Sequence, residues 1–406
     1  MSDRWQKYHI ADLGRIVTGR TPPASNHDYF GESYPFITPS DMTGQKNADT
    51  TERYLSDVGA KLLEKNLLPA GSVAVSCIGW QMGKVIMTSR PSFTNQQLNT
   101  IIPNDKFDAH FLFYSLLPRK TELLSLGSAT GVRTPILNKS AFSNLYVAFP
   151  PLHTQRRIAS TLSAYDDLIE NNTRRIKILE EMAQMLYREW FVHFRFPGHE
   201  GVKMVKGVPE GWQSVRIGER FTIVLGGTPS RSKPEFWTKG SVPWINSGKV
   251  NELRIIEPSE LITEDALGHS AAKLMPKRTT LIAITGATLG QVSLTEIETS
   301  ANQSVVGVFD EANIFSEYIY LIFKEIIDSV VLHASGGAQQ HINKEIVNSV
   351  SISIPSMPVI LQFAEITKPM FDMIANLLWK NYNLRRTRDL LLPKLVSGEV
   401  EVSEVD

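Results

Sequence analysis

The first half of this sequence recurs in its second half, and this internal repeat limits the possible folds more than any other feature. Trp5 aligns with Trp212 at a shift of 207 residues (212 − 5), and Ile169 aligns with Ile374 at a shift of 205 (374 − 169) after a two-residue slip. Further matches are Gly79 with Gly286, Gly83 with Gly290, Val85 with Val292, Asn95-Gln96 with Asn302-Gln303 and Asn138-Lys139 with Asn343-Lys344. Agreement over a whole half of the chain indicates a duplicated unit.

Each copy consists of about 150 strand-rich residues followed by a long helix, and both parts are too large for a solenoid repeat. The runs 71–79 and 280–286 are β-branched and bounded by glycine, which predicts buried strands. We therefore expect an α+β protein in which two tandem mixed α/β domains alternate with two long helices. The predicted parts are a first domain (1–150), a central helix (151–195), a linker (196–211), a second domain (212–355) and a C-terminal helix (356–400).

A heptad pattern predicts that the two helices pair along an apolar seam. In the first helix the seam consists of Ile158, Leu162, Ile169, Asn172, Ile176, Leu179, Leu186 and Trp190. In the second helix it consists of Phe363, Met370, Ile374, Leu377, Asn381, Leu384 and Leu391. Prolines at 151 and 197 limit the first helix to roughly 38 residues. The balanced charges between 156 and 193 are typical of a solvated coiled coil rather than a phosphate-binding stripe.

The seam also predicts a register. If the helices run antiparallel with their ends aligned, residues whose numbers sum to 553 face each other, so that Asn172 meets Asn381 (172 + 381). A polar pair inside an apolar seam lowers stability but penalises slipped pairings, because a shift buries each amide without a partner. We therefore predict that these two side chains are in contact.

Composition sets limits on the class of protein. Lys and Arg together number 42, as do Asp and Glu, so the chain carries no bulk positive charge of the kind typical of nucleic-acid binders. The single cysteine, Cys77, excludes a disulfide scaffold and a thiolate metal cluster, and its apolar strand predicts a core position. Neither a signal peptide nor a run of ~18 apolar residues is present, which predicts a cytoplasmic protein without a membrane part.

Residue clusters that catalysis requires are missing from the sequence. The segment Gly79–Val85 is one residue short of a phosphate-binding loop and ends in valine, which has no hydroxyl for Mg²⁺, so we interpret it as a turn. The sequence contains neither a dinucleotide fingerprint nor a His-Glu-x-x-His zinc motif, and it lacks the Asn-Pro-Pro-aromatic tetrapeptide of amino-methyltransferases. We therefore expect no catalytic, metal or cofactor site in this chain.

Taken together, these motifs resemble the specificity subunit of type I restriction-modification systems over essentially the full chain. The resemblance rests on a Gly-Gly-Thr-Pro-Ser type loop, a Pro-aromatic-Ile step, an Asn-Gln pair and a Pro-Leu-x-x-Gln-Arg-Arg-Ile-Ala entry into a long helix. It implies that the domains are target-recognition domains, each recognising one half of a split, asymmetric site in double-stranded DNA. It also implies that the helices pair antiparallel, set the half-site spacing and bind methyltransferase subunits.

The same resemblance assigns the chemistry to other chains. The partners would be two DNA adenine methyltransferase (modification) subunits and separate restriction and translocase subunits. S-adenosylmethionine, ATP and Mg²⁺ would belong to those partners, with no cofactor in this chain. Neutral overall charge remains compatible with DNA binding if basic residues face the DNA and acidic residues face partner subunits.

Polar residues in the loops are the candidates for DNA contact. In the first domain they are Arg20, Thr21, Ser40, Lys84, Asn95, Gln96, Arg133, Asn138 and Lys139. In the second domain they are Thr228, Arg231, Ser247, Lys249, Asn302, Gln303, Gln339, Gln340, His341 and Lys344. Asn and Gln suit adenine, whereas Arg and Lys suit guanine or phosphate.

Comparison of the copies ranks these candidates. Repeated pairs such as Asn95-Gln96 are better interpreted as scaffold that caps strand or helix ends. Arg133 and the segment 339–341 differ between matching regions, so they are better candidates for recognising different bases. Trp80 and Trp244 could stack on bases, but core packing is the favoured interpretation for both.

Three alternatives to this function stay open. One is the specificity subunit of a related complex that combines modification and cleavage in one subunit, which genomic neighbours would distinguish. A second is a self-sufficient enzyme, for which turnover by the purified chain is the test. A third is a scaffold whose domains bind proteins, which predicts no sequence-dependent retention of DNA.

Separate domains predict separate recognition. Replacing residues 1–150 by the matching domain of a relative should change one half-site of the methylated sequence and leave the other unchanged, because each domain has its own core. Methylome sequencing of a host that expresses the chimera with its modification subunit measures this. A change in both half-sites would contradict the independence of the domains.

Overall fold

The computed structural model describes residues 5–128, 133–334 and 342–402. The described chain divides into two compact units. The first comprises residues up to Glu170 together with those from Tyr382 onward, and the second comprises Asn171–Asn381. The boundary crosses both long helices, so each unit contains one stretch of each helix and one mixed α/β domain, called a recognition domain here after the expectation from the sequence.

The elements follow the order expected from the repeat. The strands of the first domain are β1 (Gln6–His9), β2 (Gly14–Thr18), β3 (Phe30–Gly31), β4 (Tyr34–Ile37), β5 (Arg53–Leu55), β6 (Val73–Ser76), β7 (Val85–Met87), β8 (Phe93–Thr94), β9 (Leu98–Pro103) and β10 (Tyr146–Phe149). Its helices are α1 (Ile10–Leu13), α2 (Asp57–Leu62), α3 (Ala109–Leu116), α4 (Lys120–Ser128) and α5 (Lys139–Ser143). The central helix α6 (Leu152–Tyr187) follows and ends in a π-helical turn, Arg188–Val192.

The second half repeats this order, and its final long helix is longer than the central one. Its strands are β11 (Met204–Val205), β12 (Val208–Pro209), β13 (Gln213–Arg216), β14 (Thr222–Leu225), β15 (Val242–Ile245), β16 (Arg254–Ile255), β17 (Glu260–Ile262), β18 (Thr280–Ala283), β19 (Val292–Thr295), β20 (Ser300–Ala301), β21 (Val305–Phe309) and β22 (Ser351–Ile354). Its helices are α7 (Ile217–Arg220), α8 (Glu264–Gly268), α9 (Ser316–Ala334), α10 (Lys344–Ser349) and the C-terminal α11 (Met357–Ser397).

The first recognition domain is built from two four-stranded sheets. One has the order β2-β9-β6-β7 and is antiparallel throughout, whereas the other has the order β3-β5-β4-β8 with a parallel β4–β8 pair. Strand β1 pairs with β10 in the register Gln6 to Phe149, which brings the two ends of the domain together. Helix α3 buries its apolar side in the core, where the ring centroids of Phe111 and Phe149 lie 5.0 Å apart.

The second recognition domain repeats these pairings. Its main sheet has five strands in the order β14-β21-β18-β19-β16, and a three-stranded sheet has the order β17-β15-β20. Strand β13 pairs with β22 in the register Gln213 to Ile354, as β1 pairs with β10. The segment 196–211 forms the β11–β12 hairpin, and Phe196 is buried against Trp212 with ring centroids 5.4 Å apart. The segment that we predicted to be a linker thus contains a hairpin with exposed strand residues, Met204 and Val205, and it is packed at Phe196.

The long helices run antiparallel in each unit. In the second unit Trp190 lies 5.7 Å from Phe363 between ring centroids, and Ile176 clusters with Ile374 and Leu377. In the first unit Arg388 of α11 forms an ion pair with Asp166 of α6. The predicted fold class, two mixed α/β domains alternating with an antiparallel helix pair, is confirmed. No helix in the described part of the chain combines the length and apolar character that a membrane crossing requires.

The predicted contact in the middle of the seam is present. Asn172 Nδ2 donates to Asn381 Oδ1 at 2.9 Å, and Asn381 Nδ2 donates to Thr173 Oγ1 at 3.2 Å. Both asparagines are buried. Because Trp190 and Phe363 also sum to 553, the contacts of the second unit obey the register derived from the sequence.

This pair predicts an asymmetric response to substitution. Asn172→Leu removes the amide that donates to the side-chain oxygen Oδ1 of Asn381, so the free energy of unfolding should fall by about 1–3 kcal/mol. The double variant Asn172→Leu with Asn381→Leu should recover most of that loss, since two apolar groups replace the polar pair. Urea denaturation of the three proteins measures this difference. Equal stability of the single variant and the unmodified protein would contradict a net contribution from the amide pair.

Candidate nucleic-acid interface

Two loops that are distant in sequence meet in each recognition domain. In the first domain Thr21 Oγ1 donates to Gln96 Oε1 at 2.6 Å, and the Gly19 amide donates to the Leu98 carbonyl at 3.1 Å. A Cβ on Gly19 would lie 2.1 Å from the Asn95 carbonyl oxygen, so only glycine fits this approach. The glycine-threonine-proline loop and the Asn-Gln pair are therefore two sides of one loop junction.

The second domain builds the same loop junction. Thr228 Oγ1 donates to Gln303 Oε1 at 2.5 Å, and a Cβ on Gly226 would lie 2.2 Å from the Asn302 carbonyl oxygen. Gln96 and Gln303 are exposed beside these contacts. This geometry explains why both motifs recur together in the sequence.

The repeated asparagines bond to backbone amides. Asn95 is buried and its Oδ1 accepts from the Gln97 amide at 3.1 Å, while Asn302 accepts from the Ser304 amide at 3.1 Å. Asn138 and Asn343 cap α5 and α10, each accepting an amide hydrogen bond at 2.9 Å. These bonds agree with the scaffold interpretation of the repeated pairs. Lys139 and Lys344 are the first residues of the capped helices.

Several basic candidates are already bonded within the protein. Lys84 Nζ donates to the Pro39 carbonyl and to Gln81 Oε1, both at 3.0 Å, and Ser40 is exposed next to this contact. Lys249 forms an ion pair with Glu252 at 2.8 Å, in the short 3₁₀ helix that begins at Ser247. Contact between these lysines and DNA would therefore compete with an internal partner.

Arg231 stacks on two tryptophans in the second domain. Its guanidinium carbon lies 3.4 Å from the centroid of Trp237 and 5.3 Å from that of Trp244. Its two terminal nitrogens bond Glu260 at 2.8 and 2.6 Å, and this hydrogen-bonded pairing lowers the pKa of the Glu260 carboxyl. In the free chain this cation is fixed in direction and partly neutralised.

The two tryptophans considered in the sequence differ in burial. Trp244 is buried, as predicted, and its indole nitrogen donates to the Gly227 carbonyl at 3.1 Å. For Trp80 the prediction of core packing is wrong, since its side chain is 71% exposed. Trp80 lies in the turn between β6 and β7, immediately after Gly79 at φ +87°, so the chain reverses there and leaves the ring outside the core.

Two arginines in the first domain form a cluster that the sequence analysis missed. Arg53 lies 5.7 Å from the ring centroid of Phe30 and 5.3 Å from that of Phe36, and Arg90 lies 5.7 Å from that of Tyr54. They border a surface cavity of about 600 Å³, which is lined by Phe30, Gly31, Glu32, Glu52, Arg53, Tyr54 and Arg90. We call this set the arginine-aromatic cluster.

A difference between the two copies could have pointed to it. Glu260 occupies the repeat position of Arg53 (260 − 53 = 207), and Trp237 that of Phe30 (237 − 30 = 207). Each domain thus places one guanidinium over two aromatic rings, but the arginine comes from strand β5 in the first domain and from a loop in the second. Residues that differ at equivalent positions are those suited to recognising different half-sites.

Arg20 and Arg133 are exposed. The segment that follows Arg133 bonds the residue immediately after β6, with the Leu137 amide donating to the Cys77 carbonyl at 2.9 Å. In the second domain the Ile342 amide donates to the Ile284 carbonyl at 3.1 Å in the equivalent place. The remaining candidates Gln339, Gln340 and His341 lie outside the described residues.

The described residues contain no group of three His, Cys, Asp or Glu side chains that could hold a metal ion. Cys77 is buried as predicted, and burial raises the pKa of its thiol to about 11. Buried ionisable groups such as Arg254 and Glu296 lie close to each other, with Arg254 Nε 3.8 Å from Glu296 Oε1.

Comparison with known proteins identifies the class. The model of the type I restriction modification DNA specificity domain matches twice, at residues 2–181 and 209–376. The chain belongs to this family, which confirms the resemblance drawn from its motifs. It is a DNA-specificity subunit and not a catalytic subunit.

Individual relatives agree with this membership. The chain is 28% identical to the specificity subunit of the type I restriction enzyme MjaIX from Methanocaldococcus jannaschii, over 99% of this chain and 94% of that one. It is 42% identical to the HindI specificity subunit from Haemophilus influenzae over 147 residues, which cover 36% of this chain and 32% of the relative. The crystal structure of a type I S subunit from M. genitalium has the same fold, with a TM-score of 0.63 at 16% identity, covering 100% of this chain and 98% of that one.

Substitution of the exposed arginines should separate base contacts from phosphate contacts. Arg53→Ala and Arg133→Ala, each assembled with modification subunits, should weaken DNA binding by about 1–3 kcal/mol. Loss of a base contact should relax the sequence requirement at one position of one half-site. Loss of a phosphate contact should weaken binding to all sequences alike, and it should lower the slope of log affinity against log salt concentration by about one. Binding titrations at several salt concentrations and methylome sequencing distinguish these outcomes.

Arg156→Ala provides the matched control, since this exposed arginine lies on α6 outside both domains. Unchanged affinity and unchanged methylation for Arg53→Ala would remove the arginine-aromatic cluster from the interface.

Proposed function

We propose that this chain is the DNA-recognition subunit of a type I restriction-modification complex, in which each domain recognises one half of a bipartite asymmetric site. The observation that carries the proposal is that both copies build the same loop junction, while the two domains carry different exposed side chains at equivalent positions. Thr21–Gln96 and Thr228–Gln303 repeat one scaffold. Elsewhere in the domains, Arg53 of the first copy stands where the second copy has Glu260. Two domains that share a scaffold but present different side chains are suited to a DNA site whose two halves differ in sequence.

The paired helices are proposed to set the distance between the half-sites. Helix α6 has 36 residues, which correspond to about 54 Å at 1.5 Å per residue. The buried Asn172–Asn381 bond supports this role, because it penalises slippage of one helix along the other. A helix pair that cannot slip maintains one spacing.

The outer faces of the helices are proposed to bind two modification subunits. Exposed apolar residues recur at repeat positions: Leu168 (52% exposed) matches Met373 (41%) at a shift of 205 (373 − 168). Met185 (64%) matches Leu390 (63%) at the same shift (390 − 185). Exposed apolar residues at the same positions of both helices suit two copies of one partner, and the proposed partner is the adenine methyltransferase subunit.

In this proposal the partners supply all of the chemistry. The modification subunits would bind S-adenosylmethionine, and restriction subunits would use ATP and Mg²⁺ in the cytoplasm. The specificity subunit of a related complex, with modification and cleavage fused in one partner, is the alternative, and genomic neighbours distinguish it. Recognition and spacing by this chain are the same in both cases.

Deleting one heptad from each helix tests the spacing role. Residues 173–179 and 374–380 face each other in the observed register (173 + 380 = 553 and 179 + 374 = 553), so removing both keeps the remaining seam aligned and retains Asn172 and Asn381. The deletion removes ~10.5 Å of helix, comparable to about three base pairs of 3.4 Å each. Methylome sequencing with modification subunits present should show a changed spacer and unchanged half-sites.

Two results would contradict the proposal. An unchanged spacer with full methylation would exclude the helices as the determinant of spacing. Methylation or cleavage by the purified chain without partners would exclude the assignment of all catalysis to other subunits.

A further inference from the structure

Each recognition domain forms an ion pair with a carboxylate at the same repeat position of the long helices. Asp167 on α6 and Asp372 on α11 are related by the shift of 205 (372 − 167). Their side chains are 64% and 54% exposed, yet each pairs with a buried cation of a recognition domain. We call these two contacts the helix anchors.

In the first unit the cation is Lys46, from the segment between β4 and β5. Its side chain is 7% exposed, and its Nζ lies 2.5 Å from Asp167 Oδ1. The neighbouring Asp166 accepts a hydrogen bond from the Tyr114 hydroxyl of α3 at 2.5 Å and pairs with Arg388 of α11. The domain is therefore bonded to α6 at two adjacent carboxylates.

In the second unit the cation is Arg278, which precedes β18 and has φ +68°. Its side chain is 5% exposed, and its Nη2 lies 2.6 Å from Asp372 Oδ1. The same guanidinium reaches the buried Glu296 at 3.2 Å and Glu317 at 3.5 Å. It links the interior of the domain to α11.

A second arginine ties this domain to the other long helix. Arg254 has a fully buried side chain that donates to Glu180 Oε2 of α6 at 2.8 Å. Its guanidinium lies 4.2 Å from the ring centroid of Tyr320 and 4.6 Å from that of Phe371. Contacts to both helices leave the domain little freedom to rotate about either one.

The carboxylate of the anchor recurs between the copies, but the cation does not. Lys46 aligns with Leu253 (46 + 207), and Arg278 aligns with Gly71 (278 − 207). Two different domain residues thus form an ion pair with the same helix position. What the two copies share is an ion pair between a buried cation of the domain and an aspartate of the helix. A desolvated cation also needs its carboxylate more than an exposed one does, because burial removes the water that would otherwise solvate the charge.

We propose that Asp167 and Asp372 are positioning residues, which fix the angle at which each domain presents its loops to DNA. Loss of either anchor removes one of the directional contacts that fix this angle and widens the range of angles open to that domain, so that half-sites at neighbouring distances become acceptable. This inference rests on the proposed function, since it assumes that the helices define the spacing. The helices set the distance between the domains, and the helix anchors set the angle of each domain on the helices.

The experiment compares methylation rates on DNA duplexes with both half-sites and spacers that differ by one base pair. The proteins are the unmodified chain, Asp167→Asn and Asp372→Asn, each assembled with modification subunits. The unmodified complex should prefer one spacer at least tenfold over its neighbours. Each variant should lower that preference at least threefold, while the rate on the preferred spacer changes less than threefold. Melting temperatures are measured in parallel and the rates are compared well below every transition, because removing the charge opposite a buried cation also lowers stability.

Two further variants make the comparison specific. Glu181→Gln removes an exposed ion pair with Lys177 on α6 that involves no recognition domain, and it should leave the spacer preference unchanged. Asp372→Glu retains the charge and should restore most of the preference lost in Asp372→Asn.

The outcomes separate the inference from the function on which it rests. An equal fall in rate on every spacer, or an unchanged preference in both variants, would overturn the positioning role while the spacing function stands. An unmodified complex without any spacer preference would overturn the proposed spacing function and the inference with it.

Discussion

The pairing of the two long helices in one register is the constraint on which the remaining structure depends. An apolar heptad seam supplies stability but tolerates slippage, because leucine packs against leucine in many alignments. The bond between Asn172 and Asn381 removes that tolerance, since any slip leaves two buried amides without partners. Residues placed along α6 and α11, including the carboxylates that hold the domains, therefore keep fixed partners.

Attachment of the domains to the helices relies on charge as well as apolar packing. Apolar contacts are not directional, whereas a buried guanidinium requires its carboxylate at a defined distance and angle. Arg254 and Arg278 both lie within reach of Glu296, and burial raises the pKa of that carboxyl although both arginines oppose the shift. Such buried pairs contribute little net stability, but an arrangement of domain and helix that separates the two charges is strongly destabilised. This property suits a protein that must hold two interfaces at one geometry.

The duplication separates what must be shared from what must differ. The loop junction recurs down to its hydrogen bonds, and the strand pairs β1–β10 and β13–β22 close both domains in the same way. Cation placement differs: Arg53 and Arg231 reach their aromatic pairs from different elements, and Lys46 and Arg278 reach equivalent aspartates from different segments. A common scaffold can thus present unequal surfaces to a DNA site with unequal halves.

The sequence by itself determined the duplicated architecture, the heptad seam and the Asn172–Asn381 contact, because periodicity and repeat spacing are properties of the chain that local geometry preserves. It also indicated that the repeated asparagines are scaffold, since backbone capping depends on residues only two or three positions away. The exposed position of Trp80, the arginine-aromatic cluster around Arg53 and the ion pairs of Asp167 and Asp372 were decided only by the tertiary structure. The cluster and the ion pairs join residues that lie tens to more than a hundred positions apart in the sequence, and no local pattern specifies which of them meet. The exposure of Trp80 depends on which side of a turn faces solvent, which a local pattern does not specify either.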